Sequence, residues 1–547
     1  MTRTLAVFLG VTLFISAGCV RARNYRYVQK QPECFPREAA DPLPGIPGEK
    51  RPWPSLDCRN SLFTVGFIEF DEDGKAIDPL GETKALRLID EARGRAPGGK
   101  IIAVVYVHGW KNNASEAEPG GKAKDVEKFR TALAELGYRS QQAAGFRRGE
   151  DIPVVGIYMA WRGKSLMGPD WFNFLSVWGR RNSANRVGEG EAFPSSLTKV
   201  IDKVNETTGG VDTKSRIAMV GHSFGARVLE HAIEMRQVQL HKPIRDGAAV
   251  QPAVDLTLYV NSANDARLTM GRIQKLKADP IVVRHPDYRP EDCATPDAAN
   301  TPQCRDYPLL VAITSRGDLA TKYLLPTVNT LNLDKSAPVP PPPTGTFLDP
   351  TPSPGVYRRA AAAHTKFLQS HVVREVACPS GPRPRQAPEP DADERERVQA
   401  MVRVAVARAL GKEEELKAEL AKEAELKAQA EKAAEAETRR AMDAMLRPAC
   451  PAEDRQCRFV FRTQNEHPAC FQVDQRAPAA DPPVGVTPAP LPFNTTAFWV
   501  MDVDQVVIKD HGDIWNLSFV EMLAQLMAPR GFFEPAKGRV QVRSASR

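Results

Sequence analysis

Between residues 60 and 330 the chain alternates short apolar runs with longer segments of amphipathic periodicity. The run KIIAVVYVHGW is apolar at every position from Ile101 to Val107, which is typical of a strand covered on both faces. The further apolar runs LFTVGFIEF and IPVVGIYMAW are separated from it by the amphipathic stretches ETKALRLIDEAR and KDVEKFRTALAELGY. Because helical crossovers join parallel strands, this alternation predicts an α/β fold with a mostly parallel sheet flanked by helices.

The length and composition limit the class of protein. The 547 residues exceed what one compact core usually holds, so a single enlarged domain with insertions and two separate domains are both open. With 42% hydrophobic and 26% charged residues, the composition is that of a globular protein rather than of a disordered chain or a membrane bundle. The net charge of +7 is not concentrated in a basic block, so no nucleic-acid partner is expected.

The stretch RIAMVGHSFGARVLEHAI contains a candidate nucleophile, Ser223, between an apolar run that begins at Arg216 and a helical pattern over residues 224–235. The order strand, tight turn, helix presents a serine for attack, and the strained backbone of such a serine needs small neighbours. Gly221 and Gly225 are those neighbours. A helix that starts directly after the serine also points its N–H groups at the place where an oxyanion would form.

With GHSFG, and with VYVHGWKNNA after an early strand, the sequence resembles the α/β-hydrolase superfamily over roughly residues 60–330 and again over 497–527. VYVHGWKNNA is similar to the oxyanion loop of lipases and esterases. The resemblance implies an oxyanion hole formed by the backbone N–H groups of Trp110 and Phe224. It also implies that His108 shapes this loop. His222 occupies the variable position, directly before the serine, of the GHSFG turn, which is called the elbow below. Neither histidine is therefore expected to be the catalytic base.

The resemblance further implies the chain order nucleophile, acid, histidine, with the acid after a strand downstream of Ser223. Asp318 in LLVAITSRGDLAT follows the apolar run 309–314 and is the predicted acid. Asp255, after the preceding predicted strand RDGAAVQPAVDL, is the alternative. A helix cap is the other role open to Asp318, because aspartate is a favoured capping residue.

The resemblance also implies that the histidine, the third member of this catalytic triad, lies in a loop after the last strand. His511 in VVIKDHGDIWN follows the apolar run VVI and precedes an amphipathic helix, so it is the predicted base. His364 and His371 are nearer to Asp318 in the sequence, but AAAHTKFLQSHVV reads as a helix with no strand before it. The long gap between acid and base requires a large insertion, which is predicted at residues 333–490.

The predicted insertion contains the proline-rich connector APVPPPPTGTFLDPTPSPG and, at residues 392–447, a segment rich in alanine, glutamate and lysine. This segment has strong helix propensity but no sustained apolar seam, so a solvated, projecting helix is predicted, with a coiled coil that binds a protein partner as the alternative. Residues 59–332 are the predicted hydrolase core, and residues 491–547 are predicted to complete it with a strand, the histidine loop and a helix.

The first 19 residues, MTRTLAVFLGVTLFISAGC, indicate an export signal with an arginine near the start, an apolar stretch and small residues before Cys19. They resemble a bacterial lipoprotein signal, whose cysteine becomes the lipidated first residue of the mature chain. An ordinary cleaved signal peptide is the alternative. The resemblance implies a cell-envelope protein held on a membrane, the outer membrane in particular, by its acyl chains or else free in the periplasm, with residues 20–58 as a proline-rich tether.

The other eight cysteines are an even number, which favours disulfides in an oxidising compartment. Cys293 and Cys304 close a short polar loop and are the predicted pair. The cysteines lack the CxxC spacing with neighbouring histidines that a zinc site needs, so no metal is predicted.

These features predict an exported serine hydrolase that cleaves a carboxylic ester, which could be a lipid, through an acyl-enzyme. Ser223 is the predicted nucleophile, His511 the base and Asp318 the acid that orients the histidine. This chemistry needs no cofactor. An acyltransferase with the same triad and a non-catalytic envelope lipoprotein that binds a partner through its helical insertion are the alternatives.

Overall fold

The computed structural model describes residues 33–36, 61–110, 112–114, 125–144, 151–163, 177–206, 215–243, 250–278, 307–326, 361–364, 368–376, 470–475 and 497–533. The strands in this part of the chain are β1 (Glu33–Pro36), β2 (Ser61–Phe70), β3 (Ile102–Val107), β4 (Val154–Trp161), β5 (Arg216–His222), β6 (His241–Pro243), β7 (Val250–Pro252), β8 (Leu256–Val260), β9 (Leu310–Ser315), β10 (His371–Val376), β11 (Cys470–Gln475) and β12 (Phe498–Val503).

The α-helices of the described residues are α1 (Pro79–Arg95), α2 (Asp125–Ala143), α3 (Val177–Glu189), α4 (Ala192–Asn205), α5 (Phe224–Glu234), α6 (Ala266–Ala278) and α7 (Leu517–Met527). Side chains cap two of them: Asp78 accepts a hydrogen bond from the Leu80 N–H at the start of α1, and Asn516 accepts one from the Phe519 N–H at the start of α7. A single π-helical turn, Ala320–Leu324, follows β9. Of the described helices, none combines the length and apolar character that crossing a membrane requires.

Ten strands form one sheet in the order β1-β2-β4-β3-β5-β8-β9-β12-β10-β11, while β6 and β7 make a separate pair. The two edge strands, β1 and β11, pair antiparallel with their neighbours, and the strands between them run parallel. Every residue of β3, β4 and β5 is buried, as the continuous apolar runs predict for central strands. All parallel strands therefore end at one edge of the sheet, where loop residues from distant parts of the sequence meet.

Helices cover both faces of the sheet and enclose two apolar cores. One core includes Leu88 of α1, Phe193 of α4 and Leu229 of α5. The other, on the opposite face, includes Phe129 of α2 and Phe519 of α7. The prediction of an α/β fold, with a mostly parallel sheet flanked by helices, is confirmed.

The sheet extends further than the sequence predicts. His371–Val376, which the sequence pattern reads as helical, is strand β10 and pairs parallel with β12, while β11 pairs with β10. The pattern around the alanines favours a helix, but the open edge of β12 offers a hydrogen-bonding partner that local propensity does not include. β1 likewise belongs to the sheet although it lies within the predicted tether. Residues from both predicted accessory segments thus complete the sheet.

Several predictions concern residues outside the described part of the chain. These are the signal and Cys19, the disulfide candidates Cys293 and Cys304, and the helical segment 392–447.

Candidate active site

Ser223 occupies the sharp turn between β5 and α5. Its φ of 54° and ψ of −121° define a backbone conformation with positive φ that residues other than glycine rarely adopt. Such a conformation costs on the order of 1–3 kcal/mol and persists only where the surroundings impose it. Here the Ser223 N–H donates to the Val260 carbonyl at 3.0 Å, and the Ser223 carbonyl accepts from the Ala263 N–H at 3.2 Å. The turn is therefore held by the adjacent strand β8 and the loop that follows it.

The turn needs glycine at positions 221 and 225, because the neighbouring atoms leave no room for a side chain at either position. A Cβ at Gly225 would overlap the carbonyl oxygens of Val107 and His108, and a Cβ at Gly221 would overlap the backbone of Ala226. The start of α5 can thus press against the end of β3. The first N–H groups of α5, with the positive end of the helix dipole, lie next to the serine.

His511 lies in the loop between β12 and α7 and contacts two other predicted site residues. Its Nε2 is 2.8 Å from Ser223 Oγ, and its Nδ1 is 2.9 Å from Asp318 Oδ1. A neutral imidazole with its proton on Nδ1 donates to the carboxylate and accepts from the hydroxyl. The structure therefore brings Ser223, His511 and Asp318 into one continuous chain of hydrogen bonds.

Asp318 follows β9 and is completely buried. Its Oδ1 also accepts the Thr321 N–H at 3.0 Å, and its Oδ2 accepts the Thr321 hydroxyl. Burial raises the pKa of Asp318, but the attraction and hydrogen bond of His511, together with the smaller effects of His364 and the Thr321 hydroxyl, hold that pKa below its usual value. Asp318 thus holds the following helical turn and also contacts His511, so its contacts are compatible with both roles that the sequence left open.

Asp255, the alternative acid, lies at the amino ends of the parallel strands, whereas Ser223 lies at their carboxyl ends. It precedes β8 instead of following a strand of the sheet, because the segment at Val250–Pro252 pairs with β6 in the separate two-stranded sheet. Its carboxylate accepts from Arg216 Nη1 at 3.1 Å and from the Ile217 N–H at 2.8 Å. The prediction of a sheet strand directly before Asp255 is wrong, and this residue joins the amino ends of β5 and β8.

Neither alternative histidine contacts the serine. His364 Nε2 lies 3.0 Å from Thr321 Oγ1, the hydroxyl that also donates to Asp318, so His364 stands behind the acid. His371 is at the amino end of β10, where its Nδ1 is 2.8 Å from Ser370 Oγ and its ring stacks on that of Trp499. Of the three candidate histidines, His511 alone forms a hydrogen bond with Ser223.

The loop after β3 packs directly on the elbow. A Cβ at Gly109 would lie 2.9 Å from Ser223 Cβ, and the Trp110 and Phe224 rings meet edge to face with their centroids 6.5 Å apart. His108 is buried under the loop, accepting the Trp161 N–H at Nε2 and donating from Nδ1 to the Gly109 carbonyl. Burial lowers the pKa of His108 to about 4, so the ring is neutral at neutral pH. His108 thus supports the predicted oxyanion loop.

Sequence reasoning missed two residues that form hydrogen bonds with candidate site residues: Thr321 donates to Asp318, and Asn261 donates to the His511 carbonyl. Thr321 stands three residues after Asp318, in the spacing at which a capping side chain meets the following turn. Asn261 follows the apolar run of β8 with a φ of 46°, and asparagine is one of the few residue types that tolerate positive φ. Its position at a strand end on the same edge as Ser223 is the signal that could have identified it.

No protein-family model and no curated protein matches the chain. Among solved structures, it is similar to phospholipase PlaB from Legionella pneumophila in complex with thio-NAD, with 13% sequence identity and a TM-score of 0.19. The similarity covers 51% of this chain and 47% of that chain, which is about half the length of the phospholipase. A likeness of this extent defines neither a family nor an activity.

Proposed function

We propose that the chain is a serine hydrolase that cleaves a carboxylic ester through an acyl-enzyme. The observation that carries the proposal is the hydrogen-bonded chain from Ser223 through His511 to Asp318, with the serine on a strained turn at the start of a helix. This combination of nucleophile, base and orienting acid is the arrangement that activates a serine hydroxyl.

In the first half of the reaction, Ser223 Oγ bonds to the ester carbonyl carbon while its proton passes to His511 Nε2. The buried carboxylate of Asp318 stabilises the imidazolium that forms. The tetrahedral intermediate then collapses, the bond to the alcohol oxygen breaks, and the alcohol leaves with the proton from His511. A water molecule releases the acyl group by the same steps, with His511 again taking and returning one proton.

The oxygen of the tetrahedral intermediate needs hydrogen-bond donors. The backbone N–H groups of Trp110 and Phe224 are the proposed donors, because the loop of Gly109 and the start of α5 both pack against Ser223. One well-placed donor of this kind lowers an activation barrier by about 3–4 kcal/mol.

Hydrolysis of a small soluble p-nitrophenyl ester tests the proposal. Ser223→Ala and His511→Ala should each lower kcat by about 10⁴-fold or more. Ser370→Ala and His371→Asn are matched controls, since they disrupt another Ser–His hydrogen bond of 2.8 Å at the start of β10, four strands away from β5 in the sheet, and should leave kcat within about tenfold. His364→Ala should also change kcat little because His364 does not contact Ser223. Activity that survives Ser223→Ala would contradict the proposal.

A further inference from the structure

The loop of residues 504–516 carries His511, and it is attached to the sheet by side chains at the ends of three adjacent parallel strands. His222 ends β5, Asn261 follows β8 and Ser315 ends β9, and each donates a hydrogen bond to a backbone carbonyl of this loop. A catalytic side chain on a loop needs such support, because a displacement of about 1 Å can cost about 100-fold in rate.

Two of these donors converge on the carbonyl of His511 itself. His222 Nε2 lies 2.7 Å from this oxygen, and Asn261 Nδ2 lies 3.2 Å from it. A carbonyl oxygen has two lone pairs, so these two donors use both acceptor positions. The backbone of His511 is therefore fixed next to the ring that contacts Ser223.

Asn261 is itself held firmly. It is completely buried, its Oδ1 accepts the Ser315 N–H at 3.0 Å, and its Nδ2 also lies 3.3 Å from the Asp510 carbonyl. Its φ of 46° is a conformation that an asparagine adopts at a cost. The side chain thus connects the ends of β8 and β9 to the histidine loop, with its amide orientation set by one donor and two acceptors.

His222 has a defined protonation state. Burial, and after it the repulsion from a charged His511, lower the pKa of His222 to about 3, so the ring carries one proton at neutral pH. Because a carbonyl oxygen only accepts, that proton lies on Nε2. His222 can then remain a donor to the loop while His511 gains and loses its proton.

We propose that His222 and Asn261 are positioning residues, which fix the His511 carbonyl and thereby hold the imidazole between Ser223 and Asp318. This assignment rests on the proposed serine-hydrolase function. The assignment gives a specific role to the variable position of the elbow. His222, directly before Ser223 in the sequence, would also hold the backbone of His511 in place.

The test compares substitutions that keep or remove each donor, with kcat and KM for a p-nitrophenyl ester and the Tm of every variant measured. Glutamine can place its Nε2 near that of histidine, whereas the shorter asparagine cannot reach. His222→Asn should therefore lower kcat by about 10- to 100-fold with little change in KM, and His222→Gln should stay within about threefold of wild type.

Asn261→Gly removes the amide and keeps a residue that tolerates positive φ, so it should lower kcat to a similar extent. Its matched control is Asn205→Gly, because Asn205 also donates from Nδ2 to two carbonyls, those of Ile201 and Ala253, away from the elbow. The control is expected to lower Tm and leave kcat within about threefold. If Asn261→Gly does not fold, the two His222 variants decide the question.

Two failures can be distinguished. An active wild-type protein whose folded His222→Asn and Asn261→Gly variants retain its kcat, or whose His222→Gln is as slow as His222→Asn, overturns the positioning role alone. A folded wild-type protein that does not hydrolyse the ester contradicts the proposed function, and the positioning role fails with it.

Discussion

Asp318 and His511 meet across the boundary between the protein interior and solvent. The Asp318 side chain is fully buried, whereas that of His511 is 22% exposed, and Asp318 Oδ1 lies 2.9 Å from His511 Nδ1. The carboxylate is shielded from water, while the imidazole keeps a face exposed to solvent. A carboxylate shielded in this way interacts more strongly with an imidazolium than an exposed one would.

This contact predicts the effect of Asp318→Asn. The amide presents a donor as well as an acceptor to His511 Nδ1, so the tautomer that accepts the serine proton is no longer favoured, and kcat should fall by about 10⁴-fold. Ester-hydrolysis kinetics measure this effect. Asp255→Asn is the matched control and should retain kcat within about tenfold while lowering Tm, because Arg216 and the Ile217 N–H lose a charged acceptor. Equal kcat values for the two variants would contradict the assignment of the acid.

Glu230, on the helix that follows the nucleophile, predicts a pH dependence of stability. Burial raises the pKa of Glu230 to about 8; hydrogen bonds from Asn264 and Thr269 oppose the rise and the neighbouring Glu234 adds to it. This pKa lies above the ordinary value of 4.5, so the folded state binds more protons than the unfolded state between these two pH values. The resulting stability is fully present below pH 4.5 and is lost as the pH rises through about 8.

Glu230→Gln should therefore flatten the pH dependence. Its free energy of unfolding, measured in urea at pH 5, 7 and 9, should fall less toward high pH than that of wild type, with a difference on the order of a few kcal/mol at pH 9. Glu91→Gln, which removes an exposed carboxylate paired with Arg87 on α1, is the control and should keep the wild-type slope. Parallel profiles for wild type and Glu230→Gln would show that this carboxyl does not titrate as described.

The sequence predicts the central sheet and the order of the triad residues because each depends on a local pattern. The runs before Ser223 and Asp318 are continuous and apolar, and the ends of parallel strands must share an edge. The position of His511 was harder to predict, since β12 ends at Val503 and not in the apolar run just before the histidine. The loop that carries His511 is thus longer than the pattern indicates.

Other features depend on contacts between residues far apart in the sequence. β10 forms because β12, more than a hundred residues later, offers it an edge. The role proposed for Asn261 depends on its hydrogen bonds to the carbonyls of Asp510 and His511, about 250 residues away. Neither partner is visible in the local sequence: the strand-end position of Asn261 indicates the edge at which it lies, but not the carbonyls that it contacts.

The long segment between the acid and the base has a defined attachment. β10 and β11 form an antiparallel pair at the edge of the sheet, so Val376 and Cys470, the described residues on either side of 377–469, lie opposite each other. Replacement of residues 392–447 by a short flexible linker, with both strands kept, should leave kcat for a small soluble ester within about tenfold. A large loss of activity at unchanged Tm would mean that this segment contributes to the site.

We propose that Cys19 carries the lipid anchor that the signal sequence indicates. Cys19→Ala should abolish metabolic labelling with palmitate and release the protein from the membrane fraction, because no acyl chain remains to bury in the bilayer. Cys58→Ala is the control and should retain the label. Labelling of Cys19→Ala at the wild-type level would exclude this cysteine as the lipid site.

The central claim, that Ser223 is an activated nucleophile, is tested most directly by a fluorophosphonate probe with the adduct located by mass spectrometry. The probe phosphonylates a serine whose hydroxyl is deprotonated by a neighbouring base. Folded wild-type protein should carry one adduct, on Ser223; His511→Ala should react far more slowly, and Ser223→Ala should not react. An adduct on another residue, labelling that persists in Ser223→Ala, or no adduct on folded wild-type protein would contradict the account.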